Sequence, residues 1–159
     1  MIRLAVPEDF TSIMSIYAYA RSFMQETGNP NQWGNHFPPE ELIHNRIRDK
    51  QLFVLEENGT LHGAFAFIIG EDPTYLQIDG SWLSDAPYGT IHQVASDGTI
   101  HGFFSQIVDY CWAQIPHLRV DTHADNQIMQ HLIRKNGFEQ RGIIYVLNHS
   151  PRIAFERVK

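Results

Sequence analysis

Ile91-His92-Gln93-Val94-Ala95-Ser96-Asp97-Gly98-Thr99-Ile100-His101-Gly102-Phe103-Phe104 is the stretch that decides how the rest of the chain is read. Its first residues continue an apolar run from Gly89 and read as a strand ending at Ala95. Ser96-Asp97-Gly98 is turn chemistry. From Thr99 or Ile100 a helix is predicted to Gln114, because Phe103, Phe104, Ile107, Val108, Cys111 and Ile115 recur at helical spacing. A strand, a tight turn and a helix in that order put free backbone N–H groups and partial positive charge at one point. Such a helix start holds a phosphate without needing a lysine. Gly98 allows positive φ in the turn, and Gly102 allows another backbone or a pyrophosphate to come close. The Walker lysine and the three-glycine dinucleotide fingerprint are both missing, and read alone the stretch is a weak signal that fits a connection binding nothing better than a phosphate site.

Outward from there, Leu118 to Thr122 reads as the strand that completes a strand-helix-strand unit over residues 89–122. Asp125 is placed to cap a helix reaching Lys135, with Asn136-Gly137 as its stop. Ile143 to Leu147 and Ile153 to Val158 close the sheet. Upstream, Ile2 to Val6 is a short strand ended by Pro7, and Glu8 to Glu26 a long helix with Ile13, Ile16, Tyr17, Ala20, Phe23 and Met24 inward. Residues 29–39 form a loop and Glu40 to Asp49 a short helix. Gln51 to Glu56 and Leu61 to Ile69 are strands joined through Asn58-Gly59, the strongest short hairpin signal. A polar, aromatic-bearing connection spans Gly70 to Tyr88. The order β-α-α-β-β-β-α-β-α-β-β is that of an α+β sheet protein.

The 159 residues suffice for one domain with a substantial core and are too few for two, so 1–159 is read as a single unit. A share of 43% hydrophobic against 19% charged residues places the chain among globular proteins. A net charge of −6 with no Lys/Arg cluster argues against a nucleic-acid partner. The longest apolar run, Gly63 to Ile69, is too short for a bilayer, and the first residues carry acids rather than a signal-peptide core. A single cysteine, Cys111, excludes an internal disulfide and fits a reducing compartment, the cytoplasm by default. The nine histidines show no metal-ligand spacing, so no metal is expected. Pairing of two copies through the C-terminal strands is compatible with this sequence.

Two blocks carry a resemblance. One is the quoted stretch. The other is Leu118-Arg119-Val120-Asp121-Thr122 followed by Asp125-Asn126-Gln127-Ile128-Met129-Gln130-His131-Leu132-Ile133-Arg134-Lys135-Asn136-Gly137-Phe138. In this order, with an Asn eleven residues before a Gly-Phe, the chain resembles the Gcn5-related N-acetyltransferase (GNAT) superfamily over almost its full length. Thr99 stands where that family usually has Gln or Arg, and Phe104 where it has Gly or Ala. The resemblance implies a mixed, mostly antiparallel twisted sheet of about seven strands with flanking helices. It further implies a splayed strand pair that binds acyl-CoA, here acetyl-CoA as co-substrate. The pyrophosphate would lie on the amides of Thr99, Ile100, His101, Gly102, Phe103 and Phe104, with the Phe104 ring turned to the core. The pantetheine arm would pair with the strand edge at Val94 and Ala95, with Asn126 bonding the arm and Met129 lining the channel. The implied activity is N-acetyl transfer to a small-molecule amine by direct attack in a ternary complex.

That chemistry needs a neutral amine, yet at a pKa of about 10.4 only about one molecule in a thousand is neutral at pH 7.4. His92, on the same strand face as Val94, is a candidate base. The Val94 N–H is a candidate oxyanion donor. Many relatives place a Tyr at the position of Ile133 to protonate the leaving thiolate. Tyr145 is the candidate replacement, and a thiolate leaving unassisted is the alternative. Glu26, Trp33, Asp79 and Trp82 are candidates for the acceptor pocket. His123 is expected to order its loop. The competing reading is an acyl-CoA-binding sensor module with little catalysis, motivated by Ile133 and the unusual helix start.

Overall fold

The computed structural model describes all residues, 1–159. Eight strands form one sheet: β1 (Ile2–Leu4), β2 (Leu52–Glu57), β3 (Thr60–Ile69), β4 (Asp79–Gly80), β5 (Gly89–Ser96), β6 (His117–Thr122), β7 (Glu139–Tyr145) and β8 (Pro151–Val158). Their order across the sheet is β1-β2-β3-β5-β6-β8-β7-β4. The strand beyond the expected seven is the two-residue β4, which pairs with β7 at the sheet edge. Four helices flank the sheet: α1 (Phe10–Glu26), α2 (Glu40–Arg48), α3 (Phe103–Gln114) and α4 (Gln127–Lys135). No helix is long and apolar enough to cross a membrane.

Strand alternation builds the two layers. On β3, Phe65 and Phe67 point to the side of α3 and α4, where they join Ile107, Val108, Cys111 and Ile133. Ala64 and Ala66 point to the opposite side, where Ile13, Tyr17, Ile43 and Ile47 of α1 and α2 pack. Small residues on that face let α1 lie close to the sheet. The β2–β3 hairpin turns at Asn58 and Gly59, whose φ values of 51 and 79 are those of the favoured two-residue turn. Gly63 is required where it stands, because a Cβ there would run into the Phe103 ring. Gly63→Ala should lower stability by about 1–3 kcal/mol, read by urea unfolding; an unchanged midpoint would show that Phe103 yields freely.

The feature that positions the site is a divergence. β5 and β6 run parallel but pair only at Gly89–Leu118 and Thr90–Arg119. β6 then continues on β8 as far as Thr122, while β5 stays with β3. Beyond Thr90 the flank of β5 toward β6 has no strand partner. A register shift opposite Phe65, with Gln93 at φ 48, makes a bulge in β5 at the same point. The fully buried Tyr17 satisfies it by donating its hydroxyl to the Gln93 carbonyl at 2.8 Å.

Several boundaries differ from expectation, three of them for reasons visible in the local bonding. α3 starts at Phe103 rather than at Thr99 or Ile100, because Gly102 precedes it in the left-handed region at φ 68. α4 is capped by Asn126 rather than Asp125, its Oδ1 accepting from the Met129 amide at 3.0 Å. β7 begins at Glu139 rather than Ile143, extended by its ladder with β8 and a bulge between Gln140 and Gly142.

Candidate active site

A cavity of about 780 Å³ lies where β5 and β6 part. β5 supplies His92, Gln93 and Val94, and β6 supplies Val120, Asp121 and Thr122. The start of α4 adds Asn126 and Met129, the α1–α2 loop adds Gln32 and Trp33, and the turn after β3 adds Glu71 and Asp72. Of the four buried side-chain polar atoms in the protein without a hydrogen-bond partner, three belong to residues lining it: Arg46 Nε, Thr90 Oγ1 and Gln93 Oε1. Orphaned polar atoms are rare in native interiors, so their concentration here points to a ligand site.

His92 is the best-defined group in the cavity. Its Nε2 sits 2.7 Å from Asp72 Oδ2. Its Nδ1 faces Asp121 Oδ1 across 3.9 Å, too long for a hydrogen bond. Tyr75 fixes that second carboxylate by donating its hydroxyl to Oδ1 at 2.6 Å. Burial pushes the Tyr75 phenol up, and the neighbouring Asp121 charge adds to it. For Asp72, burial works against the charge. The His92 ring outweighs it, together with the Thr74 hydroxyl at 2.7 Å and amide at 2.9 Å, and brings the carboxyl down to about 2. A proton on Nε2 satisfies Asp72 and leaves Nδ1 as the free acceptor.

At the start of α3 the backbone N–H groups from Ile100 through Ser105 make no hydrogen bond within the protein, and the first to do so is Gln106, on the Gly102 carbonyl at 3.1 Å. Six consecutive unpaired donors, following β5 and leading into α3, make a cradle of N–H groups suited to an anion. Thr99 does not belong to it. Its amide donates to Asp97 Oδ1 at 2.9 Å and its hydroxyl to the same oxygen at 2.6 Å, while Asp97 Oδ2 meets His62 Nδ1 at 2.8 Å. Phe103 and Phe104 are buried in the core with their rings away from this cradle, and His101 is exposed. Val94 lines the cavity, whereas the Ala95 side chain packs under α1.

Asn126 carries two bonds already. Beyond capping α4, its Nδ2 donates to Gln32 Oε1 at 3.0 Å, an oxygen that also accepts from Asn29 Nδ2 at 2.9 Å. The α1–α2 loop is thus clasped to the start of α4. Met129 lines the same wall.

Several expected site residues lie elsewhere. Tyr145 and Asp79 are bonded to each other at 2.9 Å, both exposed on the β4–β7 edge and outside the cavity, so neither acts there. Glu26 is exposed at the end of α1. Trp82 stacks on the Arg119 guanidinium at 4.0 Å and donates to the Tyr75 carbonyl at 2.9 Å, which makes it a packing residue. Ile133 is fully buried and offers no proton. Of the four acceptor-pocket candidates only Trp33 lines the cavity. Asp72, Asp121, Arg46 and Arg152 do so without having been singled out. Asp121 had a signal, its place at the carboxyl end of the strand that diverges. The others had none that spacing shows.

No family model and no curated protein sequence matches the chain. Solved structures do. A GNAT-family acetyltransferase from Streptococcus agalactiae is 30% identical, with 100% of this chain and 95% of that one covered and a TM-score of 0.87. A structure described as a putative acetyltransferase from Staphylococcus aureus is 23% identical over 99% of this chain and 98% of its own, with a TM-score of 0.70. A GNAT-family acetyltransferase from Listeria monocytogenes, 18% identical over 99% and 93%, gives 0.71 and shares the fold. With the parted strands, the anion cradle and whole-length likeness at 30% identity in agreement, the chain belongs to the GNAT acetyltransferase family and is an acyltransferase.

Proposed function

We propose that the protein transfers an acetyl group from acetyl-CoA to the amine of a small molecule, both bound at once. The observation that carries this is the run of six unpaired N–H groups from Ile100 to Ser105, following the strand whose flank β6 leaves open. These residues fit the cofactor: the amides suit a diphosphate, the β5 edge at Val94 and Ala95 suits an extended amide-bearing arm, and Asn126 and Met129 wall the channel. Acetyl-CoA supplies the activated thioester. His92 takes the amine proton at Nδ1 while Asp72 holds the ring, and the Val94 N–H faces the developing negative charge on the carbonyl oxygen. Net, an N–C bond forms, the thioester C–S bond breaks with the electron pair going to sulfur so that coenzyme A departs as its thiolate, and the proton lost by the amine passes to His92. The α1–α2 loop and the 70–74 turn wall the cavity in addition to β5 and β6, which favours a small acceptor over a protein chain.

Thiol release from acetyl-CoA, measured with a panel of amino acids, polyamines, aminoglycosides and arylamines, tests the reading. Release that depends on added amine is expected. Tight acetyl-CoA binding without turnover across the panel would turn the assignment to a sensor. Asn126→Ala should weaken acetyl-CoA binding by about tenfold, the worth of a hydrogen bond, in a calorimetric titration, and an unchanged affinity would remove Asn126 from the cofactor site. The folded Asp72 carboxyl lies below its ordinary value, so it stabilises the fold above about pH 4, and that contribution fades as pH falls toward 2. Asp72→Asn should therefore flatten the acid side of the stability curve and lower kcat about tenfold or more; an unaltered kcat would show that His92 needs no carboxylate behind it.

A further inference from the structure

The charges facing the cavity are mixed. Glu71, Asp72 and Asp121 line it together with two guanidiniums, Arg46 of α2 and Arg152 of β8. In a chain of net charge −6, neither guanidinium has a carboxylate within salt-bridge distance, although Arg3, Arg48, Arg119 and Arg141 all do. The two are not alike. Arg152 is 7% exposed and spent on its own surroundings, donating to Ser150 Oγ at 2.5 Å, the Pro151 carbonyl at 2.8 Å and the Gln32 carbonyl at 3.2 Å. Arg46 makes one bond, from Nη1 to Gln51 Oε1 at 2.9 Å, and its buried Nε has no partner. Burial lowers the pKa of Arg46 with only partial compensation from Asp72, yet a guanidinium stays charged in any protein. With Nη1 spent on Gln51, Nη2 is the free end of a guanidinium that lines the cavity, a charge-assisted donor of the kind that recognises a carboxylate.

Resting on the acetyl-transfer reading, we propose that the acceptor is a free amino acid or a related small amino-carboxylate, its amine toward His92, Asp72 and Asp121 and its carboxylate on Arg46. A polyamine would bring more positive charge against two guanidiniums and leave Arg46 unpaired. An anion without an amine would face three carboxylates. A zwitterion meets both sets, and its carboxylate compensates a guanidinium charge that has no ion-pair partner in the protein. Asp72, after β3, and Arg46, on α2, line the same cavity close enough for their charges to interact, so one compact molecule can bridge them.

The test compares matched acceptors: each common L-amino acid, its carboxamide and its decarboxylated amine, with acetyl-CoA, by thiol release. At least one amino acid should exceed its own amide and amine about tenfold or more in kcat/KM, and Arg46→Gln should erase that preference mainly by raising KM for the acid. Arg46→Lys should restore part of it, since a point charge keeps attraction but loses the fork. Amides or plain amines used as well as the acids would overturn the proposal while leaving acetyl transfer standing, as would a preference that survives Arg46→Gln. No release with any compound would count against the transferase reading itself. The proposal would then be decided by thermal shift of the wild-type protein, where stabilisation by an amino acid and not by its amide supports it and equal or absent shifts overturn it. A phosphonate analogue binding better than the carboxylate would also overturn it, in favour of a phosphonate acceptor.

Discussion

His92→Ala should reduce kcat for amine acetylation by about 10²–10⁴ at neutral pH, the range expected when a positioned proton acceptor is removed, with little change in acetyl-CoA affinity. His92 is the one imidazole in the cavity, and its orientation is held by Asp72, which engages Nε2 at 2.7 Å, while the Tyr75-anchored Asp121 faces Nδ1 from 3.9 Å. Because free amines at neutral pH are almost wholly protonated, the loss should shrink as pH rises toward the amine's own pKa and the substrate arrives neutral. His92→Gln, which keeps a bond to Asp72 but accepts no proton, should behave like alanine in kcat while folding as the wild type does. A full-rate Gln variant would remove His92 from the reaction and leave water as the base.

The largest effect on stability is expected away from the cavity. Glu156 of β8 has no exposed surface, yet it accepts from His117 Nε2 at 2.6 Å, Arg119 Nε at 3.0 Å and the Leu83 amide at 2.5 Å. Arg119 in turn donates to the Ser84 carbonyl at 2.7 Å and lies between the rings of Trp82 and Tyr88 at 4.0 and 3.9 Å. His117 Nδ1 contacts the Pro87 carbonyl at 3.1 Å. Residues 82–88 carry little secondary structure of their own, and this buried network pins them against β6 and β8. Removing the carboxylate leaves a buried guanidinium uncompensated, so Glu156→Ala should lower stability by about 3–5 kcal/mol. For a domain of this size that is a fall in Tm of about 6–20 °C. Because Tyr88 also reaches into the site, its hydroxyl accepting from the Asp72 amide at 2.8 Å, activity should fall before the fold is lost. A Tm within 2 or 3 °C of the wild type would show that the network contributes little.

The sheet was readable because its signals are local. Asn58-Gly59 fixes a hairpin at two adjacent positions, and the Asn126 to Gly137-Phe138 spacing spans one helix and its stop. The parting of β5 and β6 was legible only through resemblance, since nothing within either strand says where its neighbour leaves it. The start of α3 was misplaced because apolar periodicity begins at Ile100, whereas the chain is held out of the helix until Gly102 by Asp97 bonding Thr99 and by the left-handed glycine. Asp79 and Tyr145 looked like site residues as isolated polar groups near the right strands. The short β4 pairs them with each other on the outer edge instead. Conversely, Asp72, Asp121, Arg46 and Arg152 come from four separated segments, and only the folded sheet gathers them on the cavity that His92 lines.

Hydrogen–deuterium exchange of the protein, with and without saturating acetyl-CoA, tests the central claim most directly. If the cofactor lies in the gap between β5 and β6, the amides of Ile100 to Ser105, unpaired and fast in the free protein, should become strongly protected together with those at Val94 and Ala95, and β1–β2 should not change. Saturation that leaves residues 100–105 exchanging as before, or that protects a different face of the sheet, would contradict the site and every role assigned within it.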